Sequence, residues 1–108
     1  MSRKGKGNKY FRVGKNVPKN DSMLKPMKGE PNSNLDTYHK ESGKFYSRRK
    51  YGKDGYAVKD MDVAEKTKPY DHVHDISYND RPHEDRKPTK QEQREMDKAK
   101  KKRRFWKW

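Results

Sequence analysis

The sequence predicts an α+β fold: a small three- to four-stranded antiparallel β-meander with a flexible basic N-terminal arm and a C-terminal basic helix. Two observations predict the sheet. Several runs are rich in aromatic and β-branched residues, and short glycine-containing turns separate them. A third observation predicts the helix, since residues that favour helices follow a capping sequence only near the C-terminus.

The strands are predicted in chain order. An extended piece at residues 10–13 is expected to pair at a sheet edge. Glycine, proline and asparagine form a turn at residues 29–33, which leads into a strand over residues 34–39. Further strands are predicted over residues 45–51 and 56–63, on either side of a Gly-Lys-Asp-Gly turn.

Alternation along the strands assigns their side chains to two faces. In the second strand, one face carries Phe45, Ser47, Arg49 and Tyr51. The other face carries Tyr46, Arg48 and Lys50. In the third strand, Asp60 and Asp62 share a face, opposite the face of Ala57, Lys59, Met61 and Val63. An arginine beside the two aspartates indicates a cross-strand ion pair or part of a site, and either Arg48 or Arg49 can supply it.

The C-terminal helix begins with Thr89 and Glu92, which are spaced as a capping box, and is predicted to run through Arg104. Its only apolar residues are Met96 and Ala99, so we expect weak packing or folding on a polyanion. The tail interleaves basic side chains with aromatic rings, which stack on bases or lie at a membrane surface unless they dock on the core. The residues expected to bind nucleic acid are Lys100, Lys101, Lys102, Arg103, Arg104, Trp106 and Trp108.

The charge distribution divides the chain into three parts. The net charge is +14 over 108 residues, of which 43% are charged and 26% hydrophobic, so a single small core is expected. Residues 1–28 form a basic arm, residues 29–80 a nearly neutral sheet with a candidate site, and residues 81–108 a proline-containing linker, basic helix and tail. Two basic ends around a neutral middle favour RNA or another nucleic acid as partner over a membrane surface or mere solubility.

Two histidines, His72 and His74, are flanked by Asp71 and Asp75. In an extended chain, side chains two residues apart project to the same side, so both imidazoles can address one point. Three interpretations stay open. The pair acts as general base and acid on an RNA 2′-hydroxyl and the leaving oxygen, with an arginine as phosphate clamp. Alternatively His72, His74 and Asp75 (or a strand aspartate) bind a divalent ion, or the histidines are ordinary loop residues.

Other classes of site have no signal in the sequence. The chain has no cysteine, which excludes disulfides, thiolate metal sites and a thiol nucleophile. No apolar run has the roughly 18 residues of a membrane span, and the basic N-terminal segment lacks the apolar stretch of a signal peptide. No cofactor is expected, because no phosphate-binding glycine loop or zinc-protease motif is present. His39 is a reserve site candidate, and His83 is expected at the surface.

A set of short motifs resembles a known family. Gly29-Glu30-Pro31-Asn32-Ser33 precedes Arg48-Arg49-x-Tyr51, Asp54-Gly55-x-Ala57, Asp60-x-Asp62 and His72-x-His74-Asp75. This order resembles the small C-terminal toxin modules of bacterial polymorphic toxin systems, which also occur beside phage and prophage genes. Many such modules belong to the ribonuclease superfamily that groups barnase-like, colicin-like and RelE-like toxins (the BECR fold).

The resemblance implies metal-independent RNA cleavage by a small antiparallel sheet, in the cytoplasm of a target cell. Carried over by position, the catalytic candidates are Arg48, Arg49, Asp60, Asp62, His72 and His74. A toxin of this kind is expected to have an acidic immunity protein or antitoxin as partner. The alternatives are a non-catalytic nucleic-acid-binding accessory protein of a phage or mobile element, and a metal-dependent nuclease.

Overall fold

Five antiparallel strands and one helix form the architecture. The computed structural model describes residues 9–15, 25–76 and 84–105. The elements are β1 (Tyr10–Gly14), β2 (Asn34–His39), β3 (Phe45–Tyr51), β4 (Ala57–Asp62), β5 (His72–Asp75) and α1 (Lys90–Lys100). The strands lie in the sheet in their chain order, so every connection joins neighbours. The α+β class and the antiparallel meander are therefore confirmed.

The predicted strand number was too low, because both edges of the sheet carry a short strand, β1 of five residues and β5 of four. The extended piece near the N-terminus pairs with β2, with Tyr10 opposite His39. The histidine segment pairs with β4, because the chain after β4 turns back through mutual backbone hydrogen bonds between Glu65 and Lys68 of 2.8 and 3.1 Å. Four-residue β5 has one apolar side chain, Val73, so its sequence gives no alternation to detect.

Glycine permits the tight β3–β4 connection. Gly55 has a φ of +86°, and a Cβ there would lie 2.6 Å from the backbone oxygen of Gly29. The same glycine accepts a 2.8 Å hydrogen bond from the Gly29 amide. A side chain at this position would therefore separate the loop before β2 from the turn that sets the β3–β4 register.

Two irregularities change the faces expected from simple alternation. Between β2 and β3, Tyr38 pairs with Phe45 while Thr37 pairs with Ser47, which leaves Tyr46 as an extra residue. Phe45 therefore packs with Tyr38 and the helix residue Ala99 instead of sharing the face of Ser47. Such β-bulges invert the side-chain order on one side of the extra residue.

The second irregularity lies between β3 and β4. Tyr51 pairs with Ala57 while Lys50 pairs with Lys59, which leaves Val58 as the extra residue. Ala57 therefore packs with Leu35 and Tyr51, whereas alternation had assigned it to the face of Met61. The central positions follow the prediction, and Arg49 lies opposite Asp60.

Helix α1 covers the face of the sheet that carries Phe11, Tyr38, Phe45, Met61 and Val73, called here the helix face. Its Met96 is fully buried against Met61 and Val73. Its Ala99 packs against the rings of Phe11, Tyr38 and Phe45. The predicted capping box is present: the Thr89 hydroxyl accepts from the Glu92 amide, and the Glu92 carboxylate accepts from the Thr89 amide. The helix ends at Lys100, not at Arg104.

Ion pairs attach this weakly apolar helix to the sheet. The Glu95 carboxylate accepts hydrogen bonds from Arg48 (2.6 Å) and Lys50 (2.8 Å), and the Glu92 carboxylate accepts one from Lys59 (2.6 Å). The expected weak packing is thus supplemented by charge-assisted hydrogen bonds between elements far apart in sequence. Within the described ranges, no helix combines the length and apolarity needed to cross a membrane.

Candidate active site

The side of the sheet opposite α1 carries a set of polar residues, called here the polar face. Strand pairing places four of them in one row across β2 to β5: Thr37, Ser47, Asp62 and His72. The adjacent row contains Arg49, Asp60 and His74. Arg12 of β1 extends the first row, and its guanidinium donates to the Thr37 hydroxyl.

The candidate active site is the group of Asp62, His72 and His74 at the β4–β5 end of this face. His72 Nε2 lies 3.5 Å from Asp62 Oδ2, and His74 Nε2 lies 3.7 Å from the same oxygen. The two imidazole rings are 5.0 Å apart, nearly perpendicular. The fold-back that creates β5 therefore brings together the predicted histidine pair and one predicted aspartate.

The two histidines differ in access to solvent. His72 is 3% exposed, whereas the His74 side chain is 22% exposed. His72 Nδ1 lies 3.1 Å from the Tyr70 carbonyl oxygen, which only accepts hydrogen bonds. Nδ1 therefore carries a proton, and in the neutral ring the lone pair is on Nε2, which faces Asp62. His74 is thus the imidazole placed to contact a substrate.

Arg49 and Asp60 form a buried pair beside this group. Arg49 donates to both carboxylate oxygens of Asp60, at 2.8 and 3.0 Å, and the two side chains are 8% and 9% exposed. Another donor of Arg49 contacts the backbone oxygens of Lys25 and Pro26. Lys25 Nζ also lies 3.4 Å from Asp60. Burial opposes ionisation of Asp60, but hydrogen bonds and charge from Arg49 and Lys25 outweigh it and lower its pKa.

Asp62 has a different environment. Burial raises its pKa, and the charge of Asp60 adds to this effect, while Lys25 and the two histidines oppose it. Within ion-pair distance, its ionisable neighbours in the described part of the chain are the two imidazoles. The neighbouring carboxylates thus have opposite pKa shifts, a pattern associated with proton-transfer sites.

An aromatic cluster borders the first row of the polar face. Tyr10 and Tyr46 are stacked with ring centroids 4.7 Å apart, and His39 contacts both rings at 5.1 and 5.2 Å. Burial lowers the pKa of His39, which favours the neutral ring. Tyr46 donates a 3.2 Å hydrogen bond to Glu65, and burial together with that carboxylate raises the Tyr46 pKa. His39, the reserve candidate, therefore lies on the polar face but outside the Asp62 group.

Two predicted site residues lie on the helix face. Arg48 donates to both oxygens of Asp36, at 2.7 and 2.9 Å, and to Glu95. Asp75 accepts from Arg86 at 2.7 and 3.0 Å, and Arg86 also donates to Glu92. Both residues thus join the sheet to the segment around α1. The structure does not bring them together with the histidines.

The predicted nucleic-acid-binding segment is only partly described. Lys100 forms ion pairs with Asp71 and Asp97. The next four residues, Lys101 to Arg104, follow the helix and are exposed, and the Arg104 amide donates 3.0 Å to the Gly43 carbonyl oxygen. Trp106, Trp108 and the surface candidate His83 lie outside the described residues.

Comparisons with protein-family models, curated proteins and solved structures found no match for this chain. Its chemistry therefore has to be inferred from the site itself.

Sequence reasoning missed Lys25, Ser47 and Thr37. Ser47 is 1% exposed, lies opposite Asp62, and its hydroxyl has no hydrogen-bond partner among the described residues. Its position two residues from Arg49 in an alternating strand was an available signal for its face. Lys25 carries no such signal, because it precedes the sheet and reaches Asp60 across 35 residues.

Proposed function

We propose that the protein is a small nucleic-acid-directed hydrolase, a toxin-like endoribonuclease that cleaves RNA without a metal ion. The observation that carries the proposal is the convergence of His72 and His74 on Asp62, on a sheet face that also holds Arg49 and Lys25. An imidazole transfers protons near neutral pH, and a nearby cation offsets charge on a phosphodiester. The net charge of +14 favours a polyanionic substrate.

The chemistry proposed is attack by the RNA 2′-hydroxyl on its own phosphodiester. His74, the more exposed imidazole, takes the proton from the 2′-hydroxyl, and Asp62 stabilises the imidazolium that forms. The 2′-oxygen bonds to phosphorus and the bond to the 5′-oxygen breaks. The leaving 5′-oxygen takes up a proton from a water molecule, and the hydroxide that remains takes the proton back from the His74 imidazolium. The products are a 2′,3′-cyclic phosphate and a 5′-hydroxyl end.

The neighbouring side chains have positioning roles in this proposal. His72 is nearly inaccessible, and its hydrogen bond to the Tyr70 carbonyl fixes the orientation of the ring beside Asp62. Arg49 is bound to Asp60 and backbone oxygens, so we assign it to keeping Asp60 ionised. Lys25, whose side chain is 23% exposed, is the cation best placed to contact the phosphoryl oxygens.

The aromatic cluster supports a nucleic-acid substrate. Base stacking on aromatic side chains contributes about 1–3 kcal/mol per base. Tyr10, His39 and Tyr46 lie on the same face as Asp62, one row away from it. A nucleotide next to the scissile phosphate can therefore stack on this cluster while the phosphate lies near His74.

The test uses purified protein with labelled RNA and DNA of identical sequence, with and without EDTA. We expect cleavage of RNA only, unaffected by EDTA, and a loss of about 10²-fold or more in His74→Ala. Tyr56→Ala is the control, because it removes an exposed ring outside both the Asp62 group and the aromatic cluster. Cleavage that requires a divalent ion, or that persists in His74→Ala, would refute the proposal.

Binding without cleavage is the second candidate function, as in an accessory protein of a phage or mobile element. The specific observation that favours it is the exposed basic run from Lys101 to Arg104 after the helix. Replacing these four residues by alanine is expected to weaken RNA binding and to reduce its salt dependence. An RNA complex that forms in wild type but is never cleaved would leave only this function.

The ribonuclease proposal carries two further expectations. An RNA substrate places the site of action in the cytoplasm of a cell, reached by delivery or from a phage genome. A free toxin of this charge requires control, and a small acidic immunity or antitoxin protein fits the basic surface. A neighbouring gene for a small acidic protein would support this partner, and co-purification with its product would test it.

A further inference from the structure

We propose that Asp62, His72 and His74 also bind a divalent metal ion of the Zn²⁺ class. These are the residues of the proposed active site, but binding of the ion does not depend on RNA cleavage, which needs no metal, and an ion bound here would compete with cleavage. One ligand atom from each residue lies within 4.8 Å of the other two, which is a cluster that an ion can join with small side-chain movements.

The separations fit a tetrahedral ion. Zn²⁺ binds imidazole nitrogen and carboxylate oxygen at about 2.0–2.2 Å, which places tetrahedral ligand atoms roughly 3.3–3.5 Å apart. The two distances from Asp62 Oδ2, 3.5 and 3.7 Å, are close to that edge length. The two nitrogens have to approach each other from at most 4.8 Å. His74 is half-buried and provides the movement.

The donor set selects the class of metal. Two imidazole nitrogens and one carboxylate suit Zn²⁺, Ni²⁺ or Co²⁺, whereas Ca²⁺ and Mg²⁺ prefer sets of oxygen ligands. The hydrogen bond between His72 Nδ1 and the Tyr70 carbonyl leaves Nε2 with the lone pair directed at Asp62. Metal-binding histidines commonly have such a second partner, which fixes the ring and its tautomer.

Two polar groups at the cluster, the half-buried carboxylate of Asp62 and the buried hydroxyl of Ser47, lack a strong partner among the described residues. The carboxylate of Asp62 has no lysine or arginine within ion-pair distance among the described residues, because Arg49 and Lys25 are bound to Asp60. Ser47 lies opposite Asp62 in the strand pairing, and its buried hydroxyl has no hydrogen-bond partner there. A bound cation would neutralise the carboxylate, and water on its open position would offer the hydroxyl a partner.

The test is a calorimetric titration of the full-length protein with Zn²⁺, in buffer without phosphate or chelator and without RNA. We expect one ion per chain, and a visible absorption band of tetrahedral type when Co²⁺ replaces Zn²⁺. His74→Ala and Asp62→Asn should each weaken binding by more than about tenfold. His39→Ala and Asp75→Asn are matched controls that should bind like wild type, since both side chains lie outside the cluster.

Each result of the Zn²⁺ titration tests the metal site independently of RNA cleavage and of folding. Far-ultraviolet circular dichroism and the unfolding midpoint establish that His74→Ala is folded, and Zn²⁺ should raise the midpoint of wild type but not that of the variant. Absence of Zn²⁺ binding at millimolar concentration, or equal binding by His74→Ala, would overturn the proposal. Because no RNA is present, inactivity as a ribonuclease leaves this result unchanged, and loss of metal binding leaves the cleavage test unchanged.

Discussion

Arg49 and Asp60 allow a sharp test of how the polar face is held together. The perturbation is a double-mutant cycle of Arg49→Met, Asp60→Leu and both together, with an exposed turn residue as control in Lys53→Met. The pair is joined by two hydrogen bonds of 2.8 and 3.0 Å between side chains that are less than a tenth exposed. Each single variant therefore leaves a buried charge without its main partner.

The expected magnitude follows from that burial. Removing one partner of a buried ion pair costs about 3–5 kcal/mol in the free energy of unfolding. Lys25 lies 3.4 Å from Asp60 and is partly exposed, so it compensates Arg49→Met in part, and we expect about 3 kcal/mol for that variant. For a chain of this size, this lowers the melting temperature by roughly 12 °C or more.

The double variant shows whether the single variants lose stability because a buried charge is left unpaired or because each side chain packs independently. Replacing both charges by apolar side chains avoids an unpaired charge, so we expect a loss of only about 1–2 kcal/mol. Urea unfolding followed by circular dichroism measures all four proteins. Lys53→Met should lie within about 0.5 kcal/mol of wild type. A double variant whose loss equals the sum of the two single losses would refute the coupling.

Three further predictions concern the helix, the aromatic cluster and the metal. Glu92→Gln should cost about 1–2 kcal/mol in urea unfolding, discounted because Arg86 is partly exposed. Hydrogen bonds from Arg86 and Lys59 lower the pKa of Glu92. Its contribution to the free energy of unfolding is therefore complete above about pH 4.5 and is lost as the pH falls further. Equal pH dependence of stability in wild type and Glu92→Gln would contradict this. Tyr46→Ala should weaken RNA binding roughly tenfold in a fluorescence titration, while Tyr56→Ala, outside the cluster, should not. One equivalent of Zn²⁺ per chain should inhibit RNA cleavage by wild type and EDTA should restore it, and inhibition that needs many equivalents would place the inhibitory ion elsewhere.

Local patterns in the sequence predicted the centre of the fold. Period-2 alternation and glycine turns identified β2, β3 and β4, and the spacing of Thr89 and Glu92 identified the start of the helix. These signals depend on neighbours within a few residues, so they can be identified in a single sequence.

The rest depends on contacts between distant residues. The extra residues Tyr46 and Val58 inverted the faces of Phe45 and Ala57, and alternation alone cannot show a bulge. The docking of α1 through Glu92 and Glu95 was missed because their partners lie on β3, on β4 and in the segment before the helix.

The candidate site shows the same division. Asp60 and Asp62 were correctly assigned to one face, and the histidines to one side of an extended segment. Their convergence required the loop after β4 to fold back, which no local pattern specifies. The choice between Arg48 and Arg49 was likewise settled only by register, which places Arg49 opposite Asp60.

The most direct test of the ribonuclease proposal uses an RNA oligonucleotide with a single 2′-deoxy substitution at a mapped cleavage position, in the presence of EDTA. The proposed chemistry predicts that wild type does not cleave at the substituted position and leaves a 2′,3′-cyclic phosphate at all the remaining cleavage positions. His74→Ala should produce no cyclic phosphate, while Tyr56→Ala should match wild type. Cleavage at the 2′-deoxy position, or a 5′-phosphate product, would contradict attack by the 2′-hydroxyl.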